Sequence, residues 1–488
     1  GEIWAGTDDG LIWLTRDGGA HWSNVTPQGL PVWSKISLIE ASHFHPGTAY
    51  AAVDRHRVND FRPYIYRTTD FGHSWQEIST GIPRDYYVHA VREDPVRPGL
   101  LFAGTERGIF VSFNDGGNWQ SLQLNLPVSS VRDMAIHDND LIVATHGRAF
   151  WVLDDITLLR HLTAQTADAV HLFPPAMAIR VRANENQDTP WPKSTPAGQN
   201  PPAGAIVDYY LPQAANGPVT LEFLNAQGQI IRRYSSDHPE PAPPKDPPNV
   251  AAYWETPPHA PAATAGMHRW VWGLRYAPPE AIGRNDNYWI AATPHDSFRM
   301  PQGPLVLPGR YQVRLIVDGQ TYTQPLTVKM DPRVHVAPAA LAAQLALELK
   351  ISSALAQSYD AYRQANQIQG QLRDLEARLA GNAHAAPVLA AARQLAAAAA
   401  RAAGASANPY GSGALGGGLA VVNGTLAALT QSMDTADAAP TAGDYAVYRQ
   451  AAQQLSQVLG QWNQQRTAGL ARVNRAMQQA GIPAIGGQ

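Results

Sequence analysis

Three octapeptides constrain this chain more than anything else in it. Thr15-Arg16-Asp17-Gly18-Gly19-Ala20-His21-Trp22, Thr68-Thr69-Asp70-Phe71-Gly72-His73-Ser74-Trp75 and Ser112-Phe113-Asn114-Asp115-Gly116-Gly117-Asn118-Trp119 all read Ser/Thr-x-Asp/Asn-x-Gly-x-x-Trp. Their tryptophans lie 53 and then 44 residues apart. A motif repeated at that interval marks an architecture of stacked, similar units. The chemistry is that of a tight hairpin. The Ser/Thr closes one strand, and the short Asp or Asn side chain accepts hydrogen bonds from turn amides. Gly takes a positive φ that other residues resist, and Trp opens the next strand with a large apolar face.

Short runs with strand character flank the motifs: Ile3–Gly6, Leu11–Thr15, Ile36–Phe44, Thr48–Val53, Tyr64–Thr68, Ser74–Ile78, Val88–Arg92, Leu100–Gly104, Ile109–Ser112, Trp119–Leu122, Val131–Ile136, Leu141–Thr145 and Ala149–Leu153. The pattern resembles the Asp-box, or BNR repeat, of bacterial sialidases, xyloglucan-type glycosidases and sortilin-type β-propellers. It implies that Thr15, Asp17, Gly19, Trp22, Thr68, Asp70, Gly72, Trp75, Ser112, Asn114, Gly116 and Trp119 are structural, away from any ligand. Residues 1–155 are expected to form a partial β-propeller of about four blades. It would begin at the second strand of one blade and stop after the third strand of the fourth. Such an arc leaves strand edges exposed. The remaining blades are expected from an N-terminal segment, another chain or a symmetry mate. The first residue is Gly rather than Met and falls inside a repeat, so a trimmed or processed chain is expected.

Residues 156–204 read as a linker or crossing segment, with a short helix at Leu158–Leu162 and a surface loop over Gln187–Pro202. Alternating strands over 205–333, including Ala205–Leu211, Met267–Leu274 and the hairpin across Asp318-Gly319, suggest an immunoglobulin- or fibronectin-like β-sandwich. Pro239–Pro248 interrupts it as an extended loop. Residues 334–488 carry apolar residues at steps of three and four and predict a helical bundle, with a Gly-rich loop at Asn408–Gly418 and a helix start at Thr441-Ala442-Gly443-Asp444. The weakly charged bundle surface suits contact with another surface, and a homo-oligomer is one expectation. The order of blades, sandwich and helical tail resembles the C-terminal portion of large bacterial BNR-repeat proteins, glycosyl-hydrolase-like and sortilin-like. Pro63-Tyr64-Ile65-Tyr66-Arg67-Thr68, Gly104-Thr105-Glu106-Arg107-Gly108, Ala144-Thr145-His146-Gly147-Arg148 and Ala436-Asp437-Ala438-Ala439-Pro440 carry that likeness. A secreted or periplasmic location is expected from it.

Composition narrows the function. The 488 residues have a net charge of −3 and no cysteine. Disulfides, thiolate metal sites and cysteine nucleophiles are excluded, and no basic surplus points to nucleic acid. No signal peptide or transmembrane segment is evident, and no phosphate loop, serine elbow or zinc-helix motif occurs, so no cofactor is expected. His43-Phe44-His45 has strand spacing suited to two metal ligands, but without a third ligand it reads as packing.

In a four-stranded meander, the loop joining strands two and three lies on the same end as the loop entering each new sheet. The motif turn lies on the other end. Propeller ligands usually sit on the first of these. In the second unit that loop is Asp54–Arg62, with Asp54, Arg55, His56, Arg57 and Asp60; the loop into the third carries Arg84, Asp85, Tyr86 and Tyr87. His146 and Arg148 occupy the matching loop of the fourth, lining a channel or bonding neighbouring blades. Arg55, His56, Arg57, Arg84, Tyr86, Tyr87, His146 and Arg148 are the candidate binding groups for a glycan or a peptide. A glycosidase needs two carboxylates about 5 to 10 Å apart, and Asp54, Asp60 and Asp85 are the candidates. The reading is a ligand- or partner-binding protein. The alternative is a glycoside hydrolase, xyloglucanase- or sialidase-like, whose other catalytic residues lie in missing blades.

Overall fold

The computed structural model describes residues 1–182, 192, 194–196, 198–239, 251, 254–257, 259–284, 288–289, 291, 295–404 and 417–482. Most of the loops expected at Pro239–Pro248 and Asn408–Gly418, and part of Gln187–Pro202, lie outside them. The chain forms two compact units, Gly1–Ala167 and Asp168–Gln488.

The first unit is a succession of four small antiparallel sheets. They are β1 (Ile3–Gly6), β2 (Ile12–Thr15) and β3 (Ser23–Asn24); β4 (Lys35–Ala41), β5 (Ala49–Asp54), β6 (Tyr64–Thr68) and β7 (Gln76–Glu77); β8 (Val88–Glu93), β9 (Leu101–Thr105), β10 (Gly108–Ser112) and β11 (Gln120–Ser121); and β12 (Ser130–His137), β13 (Asp140–His146) and β14 (Phe150–Leu153). Each is a simple meander, and the helix α1 (Thr157–His161) follows the last. The three motifs join β2 to β3, β6 to β7 and β10 to β11. The following strands start one residue after each Trp, and the indoles of Trp75 and Trp119 turn back against the sheet before them.

The motif turns repeat atom for atom. Gly19, Gly72 and Gly116 donate their N–H to the hydroxyls of Thr15, Thr68 and Ser112 at 2.9, 2.9 and 3.0 Å. Asp17, Asp70 and Asn114 accept from the backbone N–H of His21, Ser74 and Asn118 at 2.9, 2.9 and 3.0 Å. The turn needs two successive left-handed residues. Phe71 (φ 60) and Asp115 (φ 59) take the first place, and Gly72 (φ 78) and Gly116 (φ 82) the second. Hydrogen bonds from Ser74 hold the Asp70 carboxyl down at about 2, so it stays an acceptor over the ordinary pH range.

Successive sheets pack by their inner strands: β1 on β4, β4 and β5 on β8, and β8 and β9 on β12. No packing of that extent joins the first sheet to the fourth among the described residues. Polar ties cross the apolar interfaces. The Arg92 guanidinium donates to Glu40 of the second sheet and to Asp133 of the fourth, both at 2.8 Å. The Tyr50 hydroxyl donates to Asp115 at 2.6 Å. His43 sits 3.4 Å from Glu40 and His45 is exposed. Among the described residues no group of three or more candidate ligands gathers to hold a metal.

The second unit holds two sheets around one core. One is β15 (His171–Leu172), β17 (Ala205–Leu211) and β20 (Gly266–Trp272). The other is β16 (Ala178–Arg180), β18 (Thr220–Leu224), β19 (Ile230–Ser235), β23 (Gly309–Val317) and β24 (Gln320–Met330), in the order β16-β24-β23-β18-β19. A small pair, β21 (Tyr288–Trp289) and β22 (Phe298–Arg299), stands apart. Residues 156–204 therefore do more than cross between domains, because β15 and β16 are strands of these sheets. Each is only two or three residues long, and β16 pairs in parallel with a strand 150 residues away, so no local alternation announces them. Trp272 is fully buried and stacks on Phe223 with ring centroids 4.4 Å apart.

Among the described residues, four α-helices complete this unit: α2 (Pro338–Leu379), α3 (Ala386–Ala403), α4 (Leu419–Met433) and α5 (Ala442–Gln479). α2 and α5 take part in two apolar cores; α3 fills one with Leu395 and Ala399, and α4 fills the other with Leu426 and Leu429. The capping box expected at Thr441 forms, with Asp444 accepting from the Thr441 N–H at 2.7 Å. α2 is long and apolar enough to cross a membrane by length and composition, yet its apolar side chains supply both cores. Asn423 of the Asn423-Gly424-Thr425 sequon is fully buried in α4, where no glycan fits.

A charged seam joins the helices to the sheets. Arg180 and Arg182 donate to Asp437 at 2.6 and 2.8 Å, and Arg182 and Arg275 reach Asp434 at 2.7 and 2.9 Å. Glu348 of α2 is buried beside it. Burial, then the Asp434 carboxylate, push its carboxyl up to about 7 against the pull of Arg182, Arg275 and Arg180. The folded state therefore holds a proton that the unfolded chain releases near 4.5. This stabilisation is complete below that pH and is lost as pH rises through about 7. Thermal melts of the whole chain should show stability falling by up to about 3 kcal/mol over that window, and Glu348→Gln should flatten the profile. A wild-type profile already flat between pH 4.5 and 7 would contradict this.

Candidate site at the inner end of three sheets

Strands β5, β8 and β12 bring side chains from three sheets together at the end opposite the motif turns. Asp54 ends β5 and is buried. Its carboxylate accepts the His56 backbone N–H at 2.9 Å and lies 2.7 Å from the His56 ring Nδ1, which fixes the 3-10 turn His56–Val58. The fixed His56 ring stacks on Tyr87 at 4.8 Å, and His89, two residues along β8, meets Tyr87 edge-on at 5.0 Å. Tyr87 directly precedes β8, and His89 sits where the β8–β9 register slips between Val88 and Ala90; that bulge, and not regular alternation, brings the two rings together.

Glu106 is the centre of this arrangement. It lies in the β9–β10 turn, half exposed, and accepts hydrogen bonds from His89 Nε2 at 2.9 Å and Ser130 Oγ at 2.7 Å. Tyr87 bonds to it as well, and Arg132 stands 3.5 Å away. Burial raises the Glu106 carboxyl, but the bonds from His89, Ser130 and Tyr87 outweigh it and hold the group below its ordinary value. Burial pushes His89 down, so its imidazole is neutral at neutral pH. A neutral imidazole that donates from Nε2 to Glu106 presents a bare Nδ1 toward Asp54, 3.9 Å away. Burial and Glu106 push Tyr87 up to about 12, so it remains a hydroxyl. The result is an ionised carboxylate aimed by three donors, with stacked rings beside it.

Sequence reading placed Asp54, His56 and Tyr87 here and missed His89, Glu106, Ser130 and Arg132. The other candidates lie around this cluster. Asp60 pairs with Arg62 and Arg55 of its own loop and accepts from Tyr64 at 2.8 Å; the Arg62 bonds hold it far below the usual carboxylate range. Asp85 pairs with Arg107 at 2.7 Å, and that guanidinium lies over the Tyr86 ring. Arg57 and Arg84 are exposed. His146 is exposed on the strand register opposite Ser130, and Arg148 is exposed with its carbonyl accepting from the Trp151 indole. Around the polar centre, the loops of the same end expose Val32, Trp33, Phe61, Leu124 and Val128. Arg55 ties two of these loops together by donating to Ser34 Oγ at 2.5 Å.

No known protein family and no curated protein matches the chain. Among solved structures it is similar to YCF48 bound to a D1 peptide, at 18% identity over 31% of this chain and 48% of that one, with a TM-score of 0.26. It is similar to an ancestral GH74 enzyme, at 14% identity over 67% of this chain and 39% of that one, with a TM-score of 0.26. The sialidase of Trypanosoma rangeli in complex with the inhibitor DANA shares 10% identity over 67% of this chain and 59% of its own, with a TM-score of 0.22. The chain thus spans less than two thirds of each of these proteins, and the reading of its site rests on its own geometry.

Proposed function

We propose that the first unit is a propeller arc that binds a peptide or glycan at the end where Asp54, Tyr87, His89 and Glu106 meet, and that the protein works outside the cytoplasm as a binding or assembly component. The observation that carries this reading is Glu106. It is ionised, oriented by His89, Ser130 and Tyr87, and ringed by exposed aromatic and aliphatic loop residues. A ligand donor meeting it would find its acceptor already aimed, and apolar parts of the ligand would lie on Phe61 and Trp33. Arrays of peptides and glycans probed with the labelled chain supply the test. Phe61→Ser with Arg132→Ala should weaken a captured ligand about tenfold or more, the loss of about 1.4 kcal/mol. Val96→Ser, at an exposed residue on the opposite end, should leave capture unchanged. Equal loss in both variants would sink the assignment of the face.

A glycoside hydrolase is the second reading, and one observation favours it. The His89 ring bridges the Asp54 and Glu106 carboxylates, 3.9 Å from one and 2.9 Å from the other, which holds them no farther apart than the upper limit of about 9.5 Å for a glycosidase pair. Against it, such an enzyme needs a carboxyl held protonated, and the surroundings of Glu106 and Asp60 act the other way. The helical tail is proposed to support self-association through the exposed Tyr445 and Val447 of α5. Light scattering should show a lower assembled mass for Tyr445→Ser with Val447→Glu, and an unchanged mass would remove the tail from that role.

A further inference from the structure

The second and third motifs each plug into the sheet before them. The Trp75 indole N–H donates to the Val25 carbonyl at 2.7 Å, and that of Trp119 to the Ile78 carbonyl at 2.6 Å. Val25 and Ile78 hold the same place: each directly follows the last strand of its sheet and pairs its N–H back to Ile12 or Ile65, at 2.9 and 2.8 Å. The motif glycines fit against the same residues. A Cβ on Gly72 would stand 2.6 Å from the Val25 Cβ, and one on Gly116 would stand 2.3 Å from the Ile78 Cδ1. The joint is thus an indole hydrogen-bonded to a strand-exit carbonyl, with a β-branched side chain seated in the notch that glycine leaves.

The first motif has the same turn and an open notch. Trp22 is 42% exposed, against 2% for Trp119. A Cβ on Gly19 would meet nothing nearer than its own Trp22 Nε1 at 4.0 Å. Ile3 of β1, paired in register with Thr15 of the motif, is exposed, and the Gly18 N–H donates to Gly1, as Asp115 donates to Gly99. Gly1 therefore stands where Gly99 stands, between the first and second strands of a complete sheet. Leu122, the third strand exit of this chain, packs into the core shared by the third and fourth sheets and is not free to fill the notch.

We propose that the Gly19–Trp22 notch is a docking surface for a further sheet of the same repeat, whose last strand ends in a β-branched aliphatic residue with a free carbonyl. Charge plays little part; the joint is one indole hydrogen bond and the burial of an aliphatic side chain against Gly19. A second copy of this chain is the rival occupant, and it offers no vacant exit among its described residues.

Hydroxyl-radical footprinting read by mass spectrometry resolves each tryptophan. In the 488-residue chain Trp22 should oxidise several-fold faster than Trp119. Residues 35–98 duplicated ahead of Gly1 would supply a complete sheet with its Ile78 exit and a first strand for β1. Trp22 in that extended chain should slow to the rate of Trp75, and Ile78→Asp in the duplicate should restore the fast rate. The added strands should raise the far-UV sheet signal. With that rise present, a Trp22 still at the fast rate overturns the proposal. So does a dimer of the unextended chain in which Trp22 is protected, since a second copy would then be the occupant.

Discussion

Trp119→Ala is expected to destabilise the first unit by about 3–5 kcal/mol, while Trp22→Ala should cost less than about 1 kcal/mol. The two residues hold the same place in the same motif, so sequence gives no reason to separate them. Packing does. Trp119 is buried in the core between the second and third sheets, and its N–H is bonded to Ile78. Its removal leaves a cavity and an unpaired carbonyl. Trp22 is exposed and fills nothing. For a unit of this size the difference corresponds to a melting shift on the order of 10 °C, read by calorimetry on the whole chain. Equal effects would mean that the motif stabilises its own hairpin and not the joint between sheets.

Asp437→Ala should lower the stability of the second unit by a similar amount, about 3–5 kcal/mol. Asp437 is nearly fully buried and is shared by Arg180 and Arg182. Its loss leaves Arg180 and Arg182 with too few acceptors, a deficit that ionisation of the neighbouring Glu348 offsets only in part. An exposed pair gives the contrast. Asp85 and Arg107 are each at least half exposed, and Asp85→Ala should change stability by less than about 1 kcal/mol. Calorimetric transitions of both variants decide it. Matching shifts would show that the seam is solvated in solution.

Much of this fold was legible because its signals are local. The hairpin residues of the motif, the short, fully buried apolar runs of β5 and β9, the two-residue alternation of β13, and the Thr441–Asp444 cap each lie within one element. β15 and β16 were not, since two or three residues pairing with distant strands leave no local period. The site divides the same way. Asp54, His56 and Tyr87 stood out as charged or aromatic residues in loops on the ligand end. Glu106 lay in plain view in Gly104-Thr105-Glu106-Arg107-Gly108, and His89 stands two residues after Tyr87. Nothing local says that a buried histidine on β8, a turn glutamate and Ser130 of the next sheet converge, because sheet packing brings them together.

The most direct test of the binding claim is to incubate the chain with every peptide and glycan it captures, alongside Asp54→Asn and Glu106→Gln, and to look for new products by mass spectrometry. The account expects saturable capture that weakens in Glu106→Gln, and no product from any ligand. A product that forms with the native chain and disappears in both variants would contradict it and make the two carboxylates catalytic.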